Sequence, residues 1–283
     1  MDQTWAVVLG ASSGMGLATA KKLASHGMNL ILVHRDRRST LDQVGKEFDE
    51  LRKKVRVLSF NDDALNADKR LGIVDQIKSE ITENSIAVLV HSVAKGNLKK
   101  LSHAELEKKA DNKLEARFES VENERRAIDF GKNKLEELDF TLTNQAMATS
   151  MLSWTNDLLE NNLFSEKARV IGITSEGDWK VWPGYGAVAV AKSSLETLAK
   201  YMAVEFAPHG LRVNLVHAGV TDTPSLNMIP GSDLMKASAK FRNPYGRLTQ
   251  PEDVANAIYL LCLPEADWIN GSRLMVDGGE NLT

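Results

Sequence analysis

The run Pro183-Gly184-Tyr185-Gly186-Ala187-Val188-Ala189-Val190-Ala191-Lys192 places a phenol and an ammonium seven positions apart in an otherwise apolar stretch. Seven residues make two helical turns, so on one helix both side chains emerge on the same face. There a phenol can hydrogen-bond a substrate oxygen, while the ammonium holds a cofactor or lowers the phenol's pKa by its charge. Position 188, one turn before Lys192, would serve the same geometry, but it is valine and donates no proton. In isolation Tyr185 could equally be a packing residue at a helix start, since Pro183-Gly184 marks a turn just before it.

A second chemical feature lies near the start of the chain. Leu9-Gly10-Ala11-Ser12-Ser13-Gly14-Met15-Gly16 follows the apolar run Trp5–Leu9 and opens a stretch of helical period. Gly10 allows a tight turn, Gly14 lets the backbone approach a pyrophosphate, and Gly16 permits close helix packing, while a helix N-terminus attracts the anion. Ser12, Ser13 and Met15 complete the loop as cofactor contacts. The spacing is Gly-x3-Gly-x-Gly rather than Gly-x-Gly-x2-Gly, and glycines also punctuate ordinary turns.

Twenty-four positions beyond Gly10 the second strand ends in His34-Arg35-Asp36-Arg37-Arg38. A carboxylate at that tip would accept hydrogen bonds from the adenosine ribose and repel a 2′-phosphate. No acid occupies the tip itself, and guanidinium groups suit bidentate phosphate recognition. His34 and Arg35 therefore favour NADP(H), with NAD(H) left open: Asp36 is the residue that could reverse the choice, and a solvated basic loop is the alternative reading.

These residues need a scaffold that gathers strand ends. Apolar runs at Trp5–Leu9, Asn29–Val33, Val55–Phe60, Ala87–Val90, Arg169–Ile173, Arg212–Val216 and Arg273–Val276 read as strands. Between them, Gly16–His26, Leu41–Leu51, Leu65–Glu83, Asn144–Leu159, Tyr185–Phe206 and Pro251–Leu261 read as helices. That alternation predicts an α/β fold, a Rossmann-like doubly wound parallel sheet in three α/β/α layers, forming a single domain over residues 1–283. Such sheets bind ligands beyond the carboxyl ends of their strands. The segment from Lys95 to about Asp139 interrupts the rhythm: it is rich in Lys, Glu, Asn and Asp, with scattered apolar residues. One or two amphipathic helices are expected there, as a solvated surface excursion, a lid or a subunit contact.

Composition narrows the function classes. Among 283 residues, 43% are hydrophobic and 26% charged, with a formal net charge of -3. That balance shows no global excess of positive charge for nucleic acid or an anionic membrane. The one cysteine, Cys262 in Ile258-Tyr259-Leu260-Leu261-Cys262-Leu263, excludes an internal disulfide framework and reads as a buried structural thiol. Met1-Asp2-Gln3-Thr4-Trp5 carries no basic leader, and Ala6-Val7-Val8-Leu9 is too short for a membrane span, so a cytoplasmic protein is expected. The histidines lack metal-ligand spacing with one another or with Cys262, so no metal site is expected.

Further pieces fall in a fixed order: Asn61-Asp62-Asp63 after the third strand, His91-Ser92-Val93-Ala94 after the fourth, Ile173-Thr174-Ser175 ending the fifth, then Lys192-Ser193-Ser194-Leu195, Arg212-Val213-Asn214 and Val276-Asp277-Gly278-Gly279. Together with the glycine loop, they resemble the short-chain dehydrogenase/reductase superfamily along nearly the whole chain outside the charged excursion. Ketone and alcohol enzymes of that superfamily usually show Tyr-x3-Lys and, after the fourth strand, Asn-Asn-Ala-Gly. The combination Tyr185-x6-Lys192 with His91-Ser92-Val93-Ala94 is similar instead to its divergent enoyl-acyl carrier protein reductases.

The resemblance implies NAD(P)H dependence, with adenine contacts at Asn61 and Asp62 and further cofactor contacts at Ser92, Val93, Ala94, Gly219, Val220, Thr221 and Thr223. In that branch hydride goes from the nicotinamide to the β-carbon of a trans-2-enoyl thioester, producing an enolate. Tyr185 would then hydrogen-bond the thioester oxygen, Lys192 would bind the nicotinamide ribose, and Ser175, 17 positions before Lys192, would orient a substrate oxygen. A one-turn shift of the phenol suits this chemistry, because in conjugate addition the negative oxygen lies two atoms from the carbon that receives hydride. Trp179 and Trp182 are expected to wall an apolar pocket. Leu226, Met228 and Ile229 would belong to a mobile apolar lid over residues 224–241, ordinary core helix being the competing reading.

The leading expectation is thus an NADPH-dependent enoyl-thioester reductase of fatty-acid or related acyl metabolism, acting on an acyl carrier protein or coenzyme A thioester. The alternatives are a reductase of a ketone or another activated alkene, and a cofactor-binding regulatory homologue without turnover. The resemblance also implies a homo-oligomer, a tetramer that buries the Tyr-bearing helix and the helix after the fourth strand between subunits.

Overall fold

In the computed structural model, which describes residues 4–102, 123–125 and 128–283, seven strands form one parallel sheet in the order β3-β2-β1-β4-β5-β6-β7. They are β1 (Trp5–Leu9), β2 (Asn29–His34), β3 (Val57–Asn61), β4 (Ile86–His91), β5 (Phe164–Ser175), β6 (Arg212–Ala218) and β7 (Arg273–Val276). The helices are α1 (Gly14–Ser25), α2 (Arg38–Arg52), α3 (Ala67–Glu80), α4 (Glu137–Asn144), α5 (Ser150–Glu160), α6 (Gly186–Glu205), α7 (Pro224–Asn227), α8 (Ser232–Arg242) and α9 (Pro251–Cys262). This is the doubly wound α/β fold that the alternation of apolar runs predicts.

Alternation along each strand divides the core between the two faces of the sheet. Val7 and Leu9 join Ile31, Leu89, Trp154 and Leu195 on the side of α5 and α6. Ala6 and Val8 join Leu32, Leu23, Phe48 and Ile258 on the side of α1, α2 and α9. The central strands are buried on both faces, which explains why they appear in the sequence as continuous Val, Ile and Leu runs. β5 begins five residues before the run that announced it, because Ser165, Glu166 and Lys167 lie on a solvent-facing stretch. Cys262 is partly buried and donates its thiol to the Ile258 carbonyl at 3.2 Å; burial pushes it up to about 12, so it stays an inert thiol.

Strand order decides where a ligand can sit. The chain runs outward from β1 to β2 and β3, then crosses to the other side of β1 to enter β4. The connections after β1 and β4 therefore part and leave a crevice at their carboxyl ends, with Leu9 and His91 paired across it.

Between α4 and α5 the helix continues through a wider π-turn, Gln145–Thr149, with Ala146 and Met147 packed against Val188 and Ala191 of α6. The excursion that begins at Lys95 rejoins the fold along this helix. Leu135 N–H donates to the Lys100 carbonyl at 3.0 Å, the Lys99 ammonium binds Asp139 at 2.8 Å, and Asn97 N–H donates to the Thr143 hydroxyl at 3.0 Å. Asp139 already belongs to α4, two residues beyond its start. The helices expected between Lys95 and Asp139 fall mostly on residues 103–122 and 126–127, outside the described residues.

Candidate active site

The loop after β1 has the shape that its glycines suggested. Gly10 has φ +79° and Gly14 has φ +52°, both in the left-handed region where a side chain is strained. A Cβ on Gly10 would lie 2.4 Å from the Ser92 carbonyl oxygen, and one on Gly16 would lie 2.1 Å from the Gly10 carbonyl oxygen. Gly14 faces the Thr223 side chain, 3.2 Å from where its Cβ would be. Ser13 is the N-cap of α1 but makes no side-chain cap, which leaves first-turn N–H groups for an anion. The loop after β1, Ser92 after β4 and Thr223 after β6 thus close around a cradle of backbone, and its donors fit a pyrophosphate.

The tip of β2 is more differentiated than its sequence suggested. His34 is buried; its Nδ1 lies 2.7 Å from an Asp36 carboxylate oxygen, and its ring meets Phe48 edge-on. That pairing leaves Asp36 engaged with His34, and Thr40 also donates to it at 3.4 Å. Arg35 projects outward and binds Asp63 at 2.6 Å. Asn61 receives the Asp36 N–H at 2.8 Å and so ties the ends of β2 and β3 together. Asp62 lies beside Lys69, and its carboxyl is held below the usual range chiefly by the Asp63 N–H. Of the two residues expected to recognise the adenosine phosphate, Arg35 presents its charge there and His34 points into the protein.

Tyr185 is the N-cap of α6 rather than an interior residue, and its carbonyl accepts from the Ala189 N–H at 2.9 Å. Its ring lies against Gly177, where a Cβ would come within 2.5 Å of the ring edge. Burial raises the phenol above its ordinary pKa, and a hydrogen bond from Ser175 draws it back down in part. Contrary to one expectation from the sequence, the phenol is not acidified: it stays a proton-bearing donor at neutral pH.

Lys192 is buried and donates to the Ile173 carbonyl at 2.7 Å, just before Ser175 on β5. Burial lowers its pKa to about 8, while the Glu196 and Asp178 carboxylates pull it back up. Val188 fills the position one turn before Lys192 with methyl groups, buried in a cluster with Ala146, Met147 and Ala191 and close to Gly96. Ser175, Tyr185 and Lys192 are brought together at the end of β5. His91, at the end of β4, is fully buried with its Nε2 2.7 Å from the Ser150 hydroxyl. Because that hydroxyl donates to the Ala146 carbonyl, it accepts from His91, and burial lowers His91 to about 3 and keeps it neutral.

The loop after β6 also sits at the crevice. Thr221 donates to the Gly219 carbonyl at 2.8 Å, and Thr223 caps α7 by accepting from the Leu226 N–H at 3.2 Å. Val220 N–H donates to the Glu280 carboxylate at 3.2 Å. Residues 224–241 form α7 and most of α8, joined at Gly231, which packs on Ile128 of the excursion. Leu226 and Ile229 are half-buried and Met228 is exposed, so this segment is not core helix.

The tryptophans differ from the expected pocket wall. Trp179 stacks on His217 with ring centres 4.8 Å apart and lies under the Arg273 guanidinium at 4.4 Å, towards the β7 edge of the sheet. Trp182 lies under the Arg125 guanidinium of the excursion. Apolar groups from the excursion approach Tyr185 instead: Phe130 packs on Gly184, and Leu101 and Leu135 on Gly186. Neither these contacts nor the cluster of Asp178, Glu196, Arg273 and His217 behind Lys192 is marked by a motif in the sequence. The available clue was Glu196, one helical turn after Lys192.

The family model described as "Enoyl-(Acyl carrier protein) reductase" matches residues 121–281. The chain belongs to that family, within the short-chain dehydrogenase/reductase superfamily. It is accordingly an NAD(P)-dependent oxidoreductase, and the backbone cradle is where the residues would hold the dinucleotide.

Two of its relatives carry names of different chemistries. Over 274 residues it is 28% identical to cis-4-hydroxycyclohexanecarboxylate dehydrogenase of Sinomonas cyclohexanicum, spanning 97% of this chain and 95% of the other. Over 123 residues it is 32% identical to 1-cyclohexenylcarbonyl-CoA reductase of Streptomyces collinus, spanning 42% of this chain and 44% of that one. The crystal structure of an enoyl-[acyl-carrier-protein] reductase (NADH) from Aquifex aeolicus superimposes with a TM-score of 0.77 over 100% of this chain and 98% of that one, at 20% identity. That likeness speaks to the fold. Among the described residues, no helix is long and apolar enough to cross a membrane.

Proposed function

We propose that this enzyme reduces the 2,3 double bond of a trans-2-enoyl thioester, carried on acyl carrier protein or coenzyme A, with NADPH as the preferred cofactor. The observation that carries the reading is the replacement of a proton donor by Val188 one turn before Lys192, together with a protonated Tyr185 two turns before it. The bound nicotinamide would supply hydride. Tyr185 would donate its phenol hydrogen bond to the thioester oxygen, which becomes an enolate oxygen as the β-carbon is reduced, and the buried Lys192 charge would hold that negative charge and the cofactor ribose. Ser175, bonded to the phenol, would fix its direction. The similarity to a cyclohexenylcarbonyl-CoA reductase supports an acyl thioester as the substrate class.

A second reading, oxidation and reduction of an alcohol and ketone pair, draws on the alicyclic-alcohol dehydrogenase that matches nearly the whole chain. Crotonyl and acetoacetyl thioesters separate the two. NADPH oxidation with the first and not the second is expected, lost by more than about 100-fold in Tyr185→Phe while cofactor affinity is kept. Oxidation with the ketone alone would sink the enoyl assignment. We further propose a homo-oligomer, a tetramer, supported by the exposed apolar residues Leu138 and Leu142 on α4 and Val190, Tyr201 and Val204 on α6.

A further inference from the structure

Behind Lys192, on the side of the sheet away from the glycine loop, five elements converge on one cluster of charge. Arg273 of β7 binds both Glu196 carboxylate oxygens, at 2.7 and 2.8 Å, and reaches Asp178 at 3.4 Å. Glu196 stands one turn beyond Lys192 on α6 and accepts from the Thr174 hydroxyl of β5 at 3.3 Å. Asp178 lies on the short turn that follows Ser175, with its Oδ1 buried and unpartnered. Trp179, the next residue, stacks on the His217 ring and carries the Arg273 guanidinium 4.4 Å from its ring centre.

We propose that Glu196, Asp178 and Arg273 are positioning residues that hold the Lys192 ammonium from behind, as two anions matched to two cations. The proposal rests on Lys192 acting at the cofactor and substrate site.

The other groups facing Lys192 add no competing charge. Lys192 donates to the Ile173 carbonyl of β5, and its charge acts on His91 of β4 and His217 of β6, both kept neutral chiefly by burial, His217 at about 4. With both histidines neutral, the carboxylates that act on Lys192 among the described residues are Glu196 and Asp178, and both also bind Arg273. Burial, and next the Glu196 carboxylate, push Asp178 up to about 6, so above neutral pH Asp178 is ionised and its pull on Lys192 adds to that of the Glu196 carboxylate. Removing one anion releases the ammonium's proton at lower pH. Removing Arg273 does the opposite, since the two acids then act on Lys192 without their neutralising partner.

The test is direct titration of Lys192 in the intact protein labelled with [ε-13C]lysine, the signal being assigned by its loss in Lys192→Arg. Glu196→Gln should lower the midpoint by about one pH unit, Asp178→Asn by less, and Arg273→Gln should raise it. One midpoint shared by all four proteins, or shifts in the same direction for Glu196→Gln and Arg273→Gln, would overturn the proposal. The alkaline limb of kcat against pH should move with the NMR midpoint, and Arg273→Lys should restore it. Opposite lysine shifts in a protein that reduces no enoyl thioester would leave the cluster established and the proposed reaction refuted.

Discussion

Arg35→Ala tests cofactor choice at the tip of β2, where the charge of this residue faces outward. In the structure its guanidinium is not idle: it pairs with Asp63 at 2.6 Å, with 64% of its side chain exposed. An exposed pair of this kind contributes at most about 1 kcal/mol. A charge-assisted hydrogen bond to a 2′-phosphate is worth about 1.5–3 kcal/mol. Trading one for the other leaves a net preference of roughly 0.5–2 kcal/mol, and at about 1.4 kcal/mol per tenfold that is roughly 2- to 30-fold in favour of NADPH. The alanine variant should lose that factor in kcat/KM for NADPH and change by less than about 2-fold for NADH. Asp63→Asn, which frees the guanidinium, should move the ratio the other way. Steady-state rates with both nicotinamides on one acyl substrate supply the measurement. A wild-type enzyme that works as well with NADH, or a ratio that Arg35→Ala leaves unchanged, would refute the reasoning and shift attention to Asp36.

Two further outcomes concern stability. Gly10→Ala must fit a Cβ 2.4 Å from the Ser92 carbonyl at a φ of +79°, whereas Gly45 and Gly72 sit inside α2 and α3 with nothing within 4 Å. Thermal denaturation should show Gly10→Ala destabilised by several degrees with nicotinamide binding lost, and Gly45→Ala or Gly72→Ala stabilised by about 0.5–1 kcal/mol; equal effects at the three sites would contradict the cradle. The buried histidines set an acid limit: His91 and His217 are lowered from 6.5 to about 3 and about 4, so the unfolded chain binds protons that the native state refuses. Stability should therefore fall as pH drops from about 6.5 towards 4, by about 2 kcal/mol per histidine at pH 5, with Asp178, whose raised pKa has the opposite sign, offsetting part of it. Urea midpoints at pH 7 and pH 5 measure the loss, and His91→Gln should reduce it; an undiminished loss in that variant would remove His91 as its source.

Much of the architecture was legible in the sequence because it is periodic and local. Strands buried on both faces must be continuous apolar runs, and the glycines at 10, 14 and 16 are demanded by backbone conformation and close approach within a few residues of one another. The pairing of Tyr185 with Lys192 was legible for the same reason, since helical geometry converts a spacing into a face. The edges of elements were less so: β5 gained polar residues through its exposed half, and α6 starts one residue after Tyr185, which makes the tyrosine a cap.

Tertiary structure decided what distant residues do to one another. Only the crossing from β3 to β4 sets the Ser92 carbonyl against Gly10, and only the neighbouring ends of β2 and β3 set Asp63 against Arg35 and Asn61 against Asp36. His34 and Arg35 are adjacent in sequence, yet His34 is the last residue of a strand buried on both faces, and Arg35, just beyond it, is exposed. Trp179, taken as a pocket wall by its composition, is committed to Arg273 and His217, residues that reach it from β7 and β6. The sequence by itself determined the sheet, the glycine loop and the two-turn spacing of phenol and ammonium, because each depends on backbone geometry over short range. The charge on that ammonium and the acidity of that phenol depend on burial beneath other elements and on Asp178 and Ser175, supplied by the turn after β5 and by the end of that strand, and these only the folded chain brings within reach.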